Sequence, residues 1–411
     1  MKKTCNPLHP SFNEKKFIVH CSLIIVHLII SAGISAKAQT GYDAVISQIE
    51  TNNTTLAALR QQTEADKIGN RTGLMPANPE VEFNYLWGNP SPIGTRTDIN
   101  IKQTFDFPTA YAHRSKIASL QNENAELAYK AERINILSKA RQTCIELAYY
   151  SALTNEYALR LKNAEYIAEA YKTKLERGET NILEHNKAQL NLSSVQAETA
   201  RTETEQKALL SELKQLNGGN EIQDLKFNNQ DLKLPDNFEE WYATVETQNP
   251  ILIYVRGQME VGKEEIKLNR AMGLPGFSAG YMSEKVVGQH FQGITAGVSI
   301  PLWENKNRVR RATAQVQAAE YALNDVKIQF YNRLQMHYHK AVALLQNAQT
   351  LRQSLDNHNN EPLLKKSLEA GEISLLTYLL EIEFYYEAIN KVLEAERDFE
   401  LAVSELRAVE L

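Results

Sequence analysis

The sequence is poor in cysteine, with three in 411 residues. Cys5 and Cys21 both lie before Gln39, in a stretch that has the pattern of a removable leader, so the exported chain keeps only Cys144. It therefore cannot form an internal disulfide, and its stability has to come from packing or from assembly. No cysteine follows the predicted cleavage point, so a lipid anchor at the mature N-terminus is not indicated.

Long apolar runs are equally scarce, and the one that stands out lies between Phe17 and Ile34. Lysines precede it, and Ala36-Lys37-Ala38 offers small residues where a leader peptidase reads the chain. We interpret residues 1–38 as a signal peptide cleaved before Gln39. The run is also long enough for an uncleaved membrane anchor, but Gly33 and the small-residue exit favour cleavage.

The chain has no strong excess of either charge. Its formal net charge is −5, and removal of the leader, which carries five lysines and one glutamate, changes this to −9. An acidic exported chain is not expected to bind nucleic acid. With 43% hydrophobic and 23% charged residues, the composition suits a globular protein with a large core or a long packed interface.

Proline and glycine are absent from Ala110 to about Arg177, which predicts one helix roughly 100 Å long. A second unbroken helix is predicted from Asn305 to about Glu369. Each long helix ends at a glycine, Gly178 or Gly371, followed by polar residues that can cap the next helix. The returning helices extend to about Leu216 and from about Leu375 to the end of the chain.

Alternating apolar residues precede each long helix and predict a β-hairpin in each case. In the first hairpin they are Val81, Phe83, Tyr85 and Trp87, then Ile99, Ile101, Phe105 and Phe107. In the second they are Phe277, Ala279 and Tyr281, then Ile294, Ala296, Val298, Ile300 and Leu302. Aromatic and proline residues are expected near the strand ends, where an interfacial girdle would lie: Trp87, Phe105, Phe107, Pro108, Tyr281, Pro301 and Trp303.

The chain is a tandem duplication. Glu50-Thr-Asn-Asn53 returns as Glu246-Thr-Gln-Asn249, and this offset gives 8 identities over 18 positions. We predict a first repeat over 39–216, a connecting equatorial segment over 217–239 and a second repeat over 240–411. Each repeat is helix, hairpin, very long helix, tip and helix, with the first helix running from Tyr42 to about Arg71. The fold class is mainly α with a small β part.

Four strands of roughly ten residues suit a tilted path across a bilayer, but four strands cannot close a barrel. Because a membrane sheet can have no unpaired edge, the strands need further copies, and a trimer would supply twelve. A soluble sandwich, or a small sheet capping a coiled coil, is the alternative.

Along nearly its whole mature length the chain resembles the TolC-like outer-membrane factors, the outer-membrane efflux protein family. The resemblance rests on the tandem order, on the strand pairs and on the tip sequences Leu175–Leu183 and Leu368–Leu376. It implies a trimer whose 12-stranded β-barrel is continuous with a periplasmic α-helical tunnel. It also implies a passive exit duct in the outer membrane of a Gram-negative cell, served by a periplasmic adaptor and an inner-membrane pump.

The Gly-Glu pair at both tips is similar to the metal-cation branch of that family, which works with resistance-nodulation-division pumps. Metal cations are therefore the preferred cargo, and small toxic organics or a secreted polypeptide are the less favoured alternatives. The resemblance implies that the tips dock the hairpin of an adaptor. The tip residues are Arg177, Gly178, Glu179, Ile182, Leu183, Gly371, Glu372, Leu375 and Leu376; packing within the tip is the other reading for the leucines.

Some family members close the tunnel with aspartates just after the second tip, and the matching positions here are Thr377 and Leu380. The acids that three-fold symmetry could gather near the mouth are instead Glu179, Glu184, Glu372, Glu381 and Glu383. A ring of carboxylates would favour cations. Ordinary solvated helix faces explain the same acids equally well.

Other motifs carry less weight. Gly257 to Glu264 resembles a phosphate-binding loop, but Glu264 stands where a Ser or Thr is required and the segment falls within a helix. His337 and His339 are two apart in a helix and would point to different faces, so a metal site is not predicted. We find no catalytic constellation and no cofactor motif, and conclude that the chain is not an enzyme.

Two alternatives to the efflux duct remain. One is an exported coiled-coil structural or adaptor protein without a pore, and the other is the outer-membrane duct of a type I protein secretion system.

Overall fold

The computed structural model describes residues 41–222 and 233–411. The predicted signal peptide lies outside the described residues, and the predicted connecting segment is described only at its two ends. The fold is mainly helical with one small sheet, and its two halves repeat the same order of elements.

The first repeat begins with two short helices, α1 (Tyr42–Asn52) and α2 (Thr54–Asn70). Strands β1 (Glu80–Trp87) and β2 (Thr95–Phe105) form a hairpin, with a 3₁₀ turn at Ser91–Ile93 between them. Helix α3 (Pro108–Glu176) then runs to the first tip, and α4 (Ile182–Leu216) returns from it. Proline at the first position of α3 suits a helix start, and the 69 residues of α3 make it about 100 Å long.

The second repeat has α5 (Phe238–Gln248), α6 (Pro250–Ala271) and the hairpin of β3 (Gly276–Val286) and β4 (Gln289–Ser299). Helices α7 (Arg308–Asn357) and α8 (Glu361–Glu369) descend to the second tip. Helix α9 (Leu375–Arg407) returns and ends in a 3₁₀ turn at Ala408–Glu410.

Asparagine divides the opening helix of each repeat, so the prediction of one continuous helix from Tyr42 to about Arg71 was wrong. The Oδ1 atom of Asn53 accepts a hydrogen bond from the Leu56 amide at 2.8 Å. At the matching place, Asn249 accepts from the Ile251 and Leu252 amides. Each asparagine is buried and caps the second helix of its pair, which ends the first.

The second long helix is also broken, although the sequence analysis predicted an unbroken helix from Asn305 to about Glu369. Helix α7 ends at Asn357, and α8 begins at Glu361 with Pro362 in its first turn. Proline lacks an amide hydrogen and its ring excludes the carbonyl of the preceding turn, so the helix has to end before it. The first repeat has no proline at this height, and α3 continues without a break.

The four strands form one antiparallel sheet in the order β1-β2-β3-β4. Its register confirms the predicted alternation, because one row of opposed residues is apolar on every strand. This row is Val81, Ile101, Tyr281 and Ile294, and their side chains are 69%, 40%, 39% and 93% exposed. Tyr281 lies in the middle of β3, so the expectation that it marks a strand end was wrong.

The opposite face of the sheet is largely polar. One row across the strands is Asn84, Asp98, Glu284 and Phe291, and Arg96 pairs there with Asp98 at 2.9 Å and Glu284 at 3.2 Å. Within the described residues, β1 and β4 each pair on one side only. The sheet therefore presents an exposed apolar face, a polar face and two open edges.

The two repeats bury equivalent positions against their long helices. The pairs are Tyr42 and Phe238, Ile49 and Val245, and Leu56 and Leu252. In α3 the buried residues at this level are Leu137, Ala140, Cys144 and Leu147, at the three-and-four spacing of a helix packed along one stripe. No helix in the described ranges is both long and apolar enough to cross a membrane.

Close packing of α6 explains its glycines. A Cβ atom on Gly257 would collide with the Oδ1 atom of Asn124 in α3, and one on Gly262 would come within 2.9 Å of Val316 in α7. The segment from Gly257 to Glu264 lies entirely inside α6, as predicted. These glycines thus allow α3, α6 and α7 to pack closely. Close packing explains the presence of the glycines without any role in phosphate binding.

Candidate functional site

The two hairpin tips have the same backbone structure. Gly178 and Gly371 both adopt the left-handed conformation, with φ of 72° and 76°. After each glycine a glutamate amide donates back into the helix, Glu179 to Lys174 O at 2.8 Å and Glu372 to Ser367 O at 2.9 Å. This is the Schellman ending of a helix, and it confirms the predicted role of both glycines as helix stops.

A polar side chain then starts the returning helix in each tip. Asn181 Oδ1 accepts from the Glu184 amide at 3.0 Å, and Ser374 Oγ accepts from the Thr377 amide at 3.1 Å. Each tip therefore turns the chain within a few residues, with the helix end and the helix start both hydrogen-bonded. The repeated sequence has produced two matching, hydrogen-bonded turns.

The predicted tip residues differ in their exposure. Most have exposed side chains or lie on exposed backbone, and this group comprises Arg177, Gly178, Glu179, Ile182, Leu183, Gly371, Glu372 and Leu376. Leu375 is different, because it is 1% exposed and packs under the tip against Ile167, Tyr171 and Ala188. The side chain of Leu375 thus packs inside the tip, which agrees with the alternative interpretation that the leucines pack within the tip.

An apolar stripe on α9 continues upward from the second tip, and the sequence analysis included only its first member, Leu376, among the site residues. Leu376, Leu380 and Phe384 follow each other at four-residue spacing and are 48%, 55% and 69% exposed. The spacing alone could have identified them as neighbours on one helix face. Burial within one chain decides which face is free, and the sequence does not show that directly.

The candidate pore acids are not equivalent. Glu179 and Glu372 are exposed at the tips, while Glu184 forms an ion pair with Lys187 at 2.8 Å. Glu381 and Glu383 are both exposed but lie two positions apart on α9, so they point to different sides of the helix. The tip glutamates are therefore the better candidates for a carboxylate ring.

Above the tips, a polar cluster joins α3 to α9. Arg160 is 4% exposed, and its guanidinium lies between the rings of Tyr157 and Tyr386, 4.7 and 4.4 Å from their centres. It also donates to Asn390 Oδ1 at 2.9 Å. One turn lower, Asn163 donates to the hydroxyl of Tyr378 at 2.8 Å. Burial raises the pKa of Tyr378, so this hydroxyl stays neutral.

The histidines of α7 do not gather into a site. His337 Nδ1 lies 3.1 Å from a Glu405 carboxylate oxygen, and burial lowers the pKa of His337. His339 is exposed on another side of the helix. Among the described residues, no group of three or more His, Cys, Asp or Glu side chains could hold a metal ion.

The chain consists of two tandem helical hairpins joined to one antiparallel sheet, and this arrangement defines its class of fold. The chain has the fold of the TolC-like outer-membrane factors, as its sequence predicted. It is similar to the CmeC outer-membrane channel of Campylobacter jejuni, with a TM-score of 0.74 and 16% identity over 90% of this chain and 85% of that one. For the outer-membrane protein VceC of Vibrio cholerae the TM-score is 0.73 at 14% identity, over 90% and 95%.

By sequence, the chain is similar to the alkaline protease secretion protein AprF of Pseudomonas aeruginosa. The two are 23% identical over 393 residues, which cover 87% of this chain and 81% of AprF. No family model matches the chain.

Proposed function

We propose that the protein is a passive exit duct in the outer membrane of a Gram-negative cell, with a large periplasmic part. The observation that supports this most directly is the sheet, whose exposed apolar row crosses all four strands. Exposed aromatic and aliphatic side chains in unbroken rows are costly in water and favourable in lipid. The duct moves its cargo without chemistry, so neither a cofactor nor a catalytic residue is required.

A homotrimer follows from the open edges of the sheet. The unpaired amides and carbonyls of β1 and β4 have to be satisfied in the hydrocarbon layer, where water is absent. Pairing β4 of one copy with β1 of the next satisfies both edges. Three copies then close a twelve-stranded barrel above a tunnel about 100 Å long.

Membrane fractionation tests this proposal. The mature protein should be recovered from the outer membrane only with detergent, and should migrate as a trimer in unheated gel samples and as a monomer after boiling. A soluble periplasmic monomer would overturn the proposal and favour the alternative of an exported coiled-coil adaptor.

The tips are proposed to dock a periplasmic adaptor, which connects the duct to an inner-membrane pump of the resistance-nodulation-division type. The two matched turns present exposed apolar and acidic side chains side by side, which suits a helical hairpin with leucines and basic residues. A photo-crosslinking residue at Leu183 or Leu376 should capture the adaptor. Tyr321, 81% exposed but roughly 70 Å from the tip along α7 and α8, is the control position. Capture from Tyr321 but not from the tips would place docking elsewhere.

For the cargo, metal cations are the preferred class, on the strength of the Gly-Glu pair at each tip. A secreted polypeptide is the second candidate, favoured by the similarity to AprF, which is named for alkaline protease secretion. Deletion of the gene should sensitise the cell to transition-metal salts and leave its secreted proteins unchanged. Unchanged resistance to these salts together with a loss of secreted proteins would favour a type I secretion duct. If small toxic organics are the cargo, the deletion should instead cause sensitivity to dyes and detergents.

The exposed tip glutamates are proposed to form a carboxylate ring at the periplasmic mouth. Reversal potentials across a planar bilayer with a salt gradient measure the preference for cations. Glu179→Gln and Glu372→Gln should each reduce that preference, whereas Glu320→Gln, at an exposed position on α7 far from the tips, serves as the control. If neither tip variant changes the selectivity, the ring does not exist.

A further inference from the structure

A buried carboxyl group joins α1 to α9. Glu400 on α9 is 7% exposed, and its Oε2 atom accepts a hydrogen bond of 2.7 Å from the hydroxyl of Tyr42 on α1. Tyr42 is itself 5% exposed. The contact connects residues 358 positions apart and lies in the equatorial region, far above the tips.

Most of the charged groups around Glu400 are already paired with one another. On α1, Asp43 is paired with Arg141 of α3 at 2.9 Å. On α9, the two carboxylate oxygens of Glu396 accept hydrogen bonds from the Arg352 guanidinium of α7, and Arg397 pairs with Asp398. From α3 the neighbours are the Cys144 thiol, next to Tyr42, and Glu146, near Arg397. In the described part of the chain, no basic side chain forms an ion pair with Glu400.

A cavity of about 300 Å³ adjoins the carboxyl group between α3 and α9. Glu400, Glu396 and Arg397 line one side, and Tyr149, Ser151 and Asn155 line the other. The space is large enough for several water molecules, but its walls are partly apolar, with Ile145, Ala148 and Leu393 among them. Glu400 itself is only 7% exposed and forms no ion pair in the described part of the chain, so its ionisation would leave an uncompensated charge at the contact with α1.

The second repeat shows that the hydroxyl of Tyr42 is not needed for packing. Phe238 stands at the equivalent position of that repeat and packs against Trp241, Tyr242, Tyr331 and Tyr338. Its ring fills the same place without a carboxyl partner. Because Phe238 has no hydroxyl group, the second repeat has no counterpart of the hydrogen bond from Tyr42 to Glu400.

We propose that the attachment of α1 to α9 is linked to protonation: neutral Glu400 holds the two helices together, and its ionisation loosens α1. The periplasm has no pH control of its own against the outside, so the equatorial contact of the duct would respond to external pH. This proposal concerns the folded chain and does not depend on the cargo or on the adaptor.

The direction of the effect follows from linkage. Burial raises the pKa of Glu400 from 4.5 to about 7; the Tyr42 hydrogen bond opposes this rise and Glu396 adds to it. Because the packed state binds the proton more tightly than the detached state, the contact is strongest below pH 4.5 and weakens as the pH rises towards about 7. Above that pH, both states are ionised and no further loss is expected.

Hydrogen exchange of the α1 amides in the detergent-solubilised full-length protein tests the proposal. After correction for the chemical exchange rate, opening of α1 should increase on the order of 30-fold between pH 5 and pH 7 and little above pH 8. Glu400→Gln should abolish this dependence. A flat profile in the unmodified protein, or the unmodified profile in Glu400→Gln, would overturn the proposal.

Two further variants keep the test decisive if Glu400→Gln fails to fold. Tyr42→Phe copies the second repeat and removes a hydrogen bond that favours ionisation, so its transition should move to higher pH. Glu396→Gln removes a neighbouring negative charge, so its transition should move to lower pH. Asp43→Asn is the matched control on α1, which should loosen the helix without moving the transition. Shifts of Tyr42→Phe and Glu396→Gln in the same direction would contradict the proposal.

Discussion

Gly178 and Gly371 occupy the same place in the two tip turns, and their φ angles differ by only a few degrees, at 72° and 76°. An added Cβ atom would meet nothing within 4 Å at either glycine. The two positions are therefore fixed by backbone conformation and not by lack of space, and this property can be measured.

Replacement of either tip glycine with alanine should lower the free energy of unfolding by about 1 kcal/mol, because a side chain in the left-handed region is strained. Gly69→Ala is the matched control, since Gly69 is helical and also has open space around it. That control should be neutral or slightly stabilising. Chemical denaturation of the three variants provides the comparison; equal effects at all three positions would contradict the assignment of the turns.

Leu375 and Leu376 are adjacent but should respond to alanine in different ways. Leu375→Ala removes a side chain that is 1% exposed and should cost about 2–5 kcal/mol of stability. Leu376→Ala, at 48% exposure, should cost under about 1 kcal/mol and weaken binding of the adaptor instead. Thermal unfolding together with adaptor pull-down separates these effects. Normal adaptor binding by a stable Leu376→Ala protein would remove Leu376 from the docking surface.

Ile294 and Thr295 are neighbours at the middle of β4 and lie on opposite faces of the sheet. If the apolar face meets lipid, Ile294→Lys places a charge near the middle of the bilayer at a cost of about 2–4 kcal/mol. Thr295→Lys places the same charge on the polar face. Trimer recovered from the outer membrane should fall for Ile294→Lys only. An equal yield of the two variants would indicate that the apolar face is not in the membrane.

Gly257→Ala should destabilise the contact between α6 and α3 by about 1–3 kcal/mol, because the new methyl group collides with the side chain of Asn124. Asn124→Ala should restore much of that loss by making room for it. A double-mutant cycle in denaturant measures the coupling. Additive effects of the two substitutions would show that the collision is relieved in another way.

The sequence predicted the features whose physical cause is local. The left-handed glycines, the polar caps after them and the alternation of Val81, Phe83 and Ile101 each follow from a few neighbouring residues, and the duplication shows each signal twice. The absence of proline and glycine predicted the uninterrupted α3. Pro362 carried an equally local signal for the break between α7 and α8, and that signal was overlooked.

Features that depend on tertiary contacts were harder to predict. Asparagine is favoured at a helix start but tolerated inside a helix, so Asn53 alone did not decide between the two, whereas Pro250 after Asn249 was a local signal for a helix start. Leu375 and Leu376 have the same chemistry, so the sequence could not distinguish the buried one from the exposed one. The bond between Tyr42 and Glu400 spans almost the whole chain, and no periodicity points to it.

Single-channel conductance across a planar lipid bilayer tests the exit duct most directly. The purified detergent-solubilised trimer, added to one side, should insert and produce discrete, ohmic conductance steps, while Ile294→Lys protein should produce few or none. If correctly folded trimer inserts into the bilayer and no ion current flows, even with the tips removed by cleavage, then the protein does not form a continuous duct.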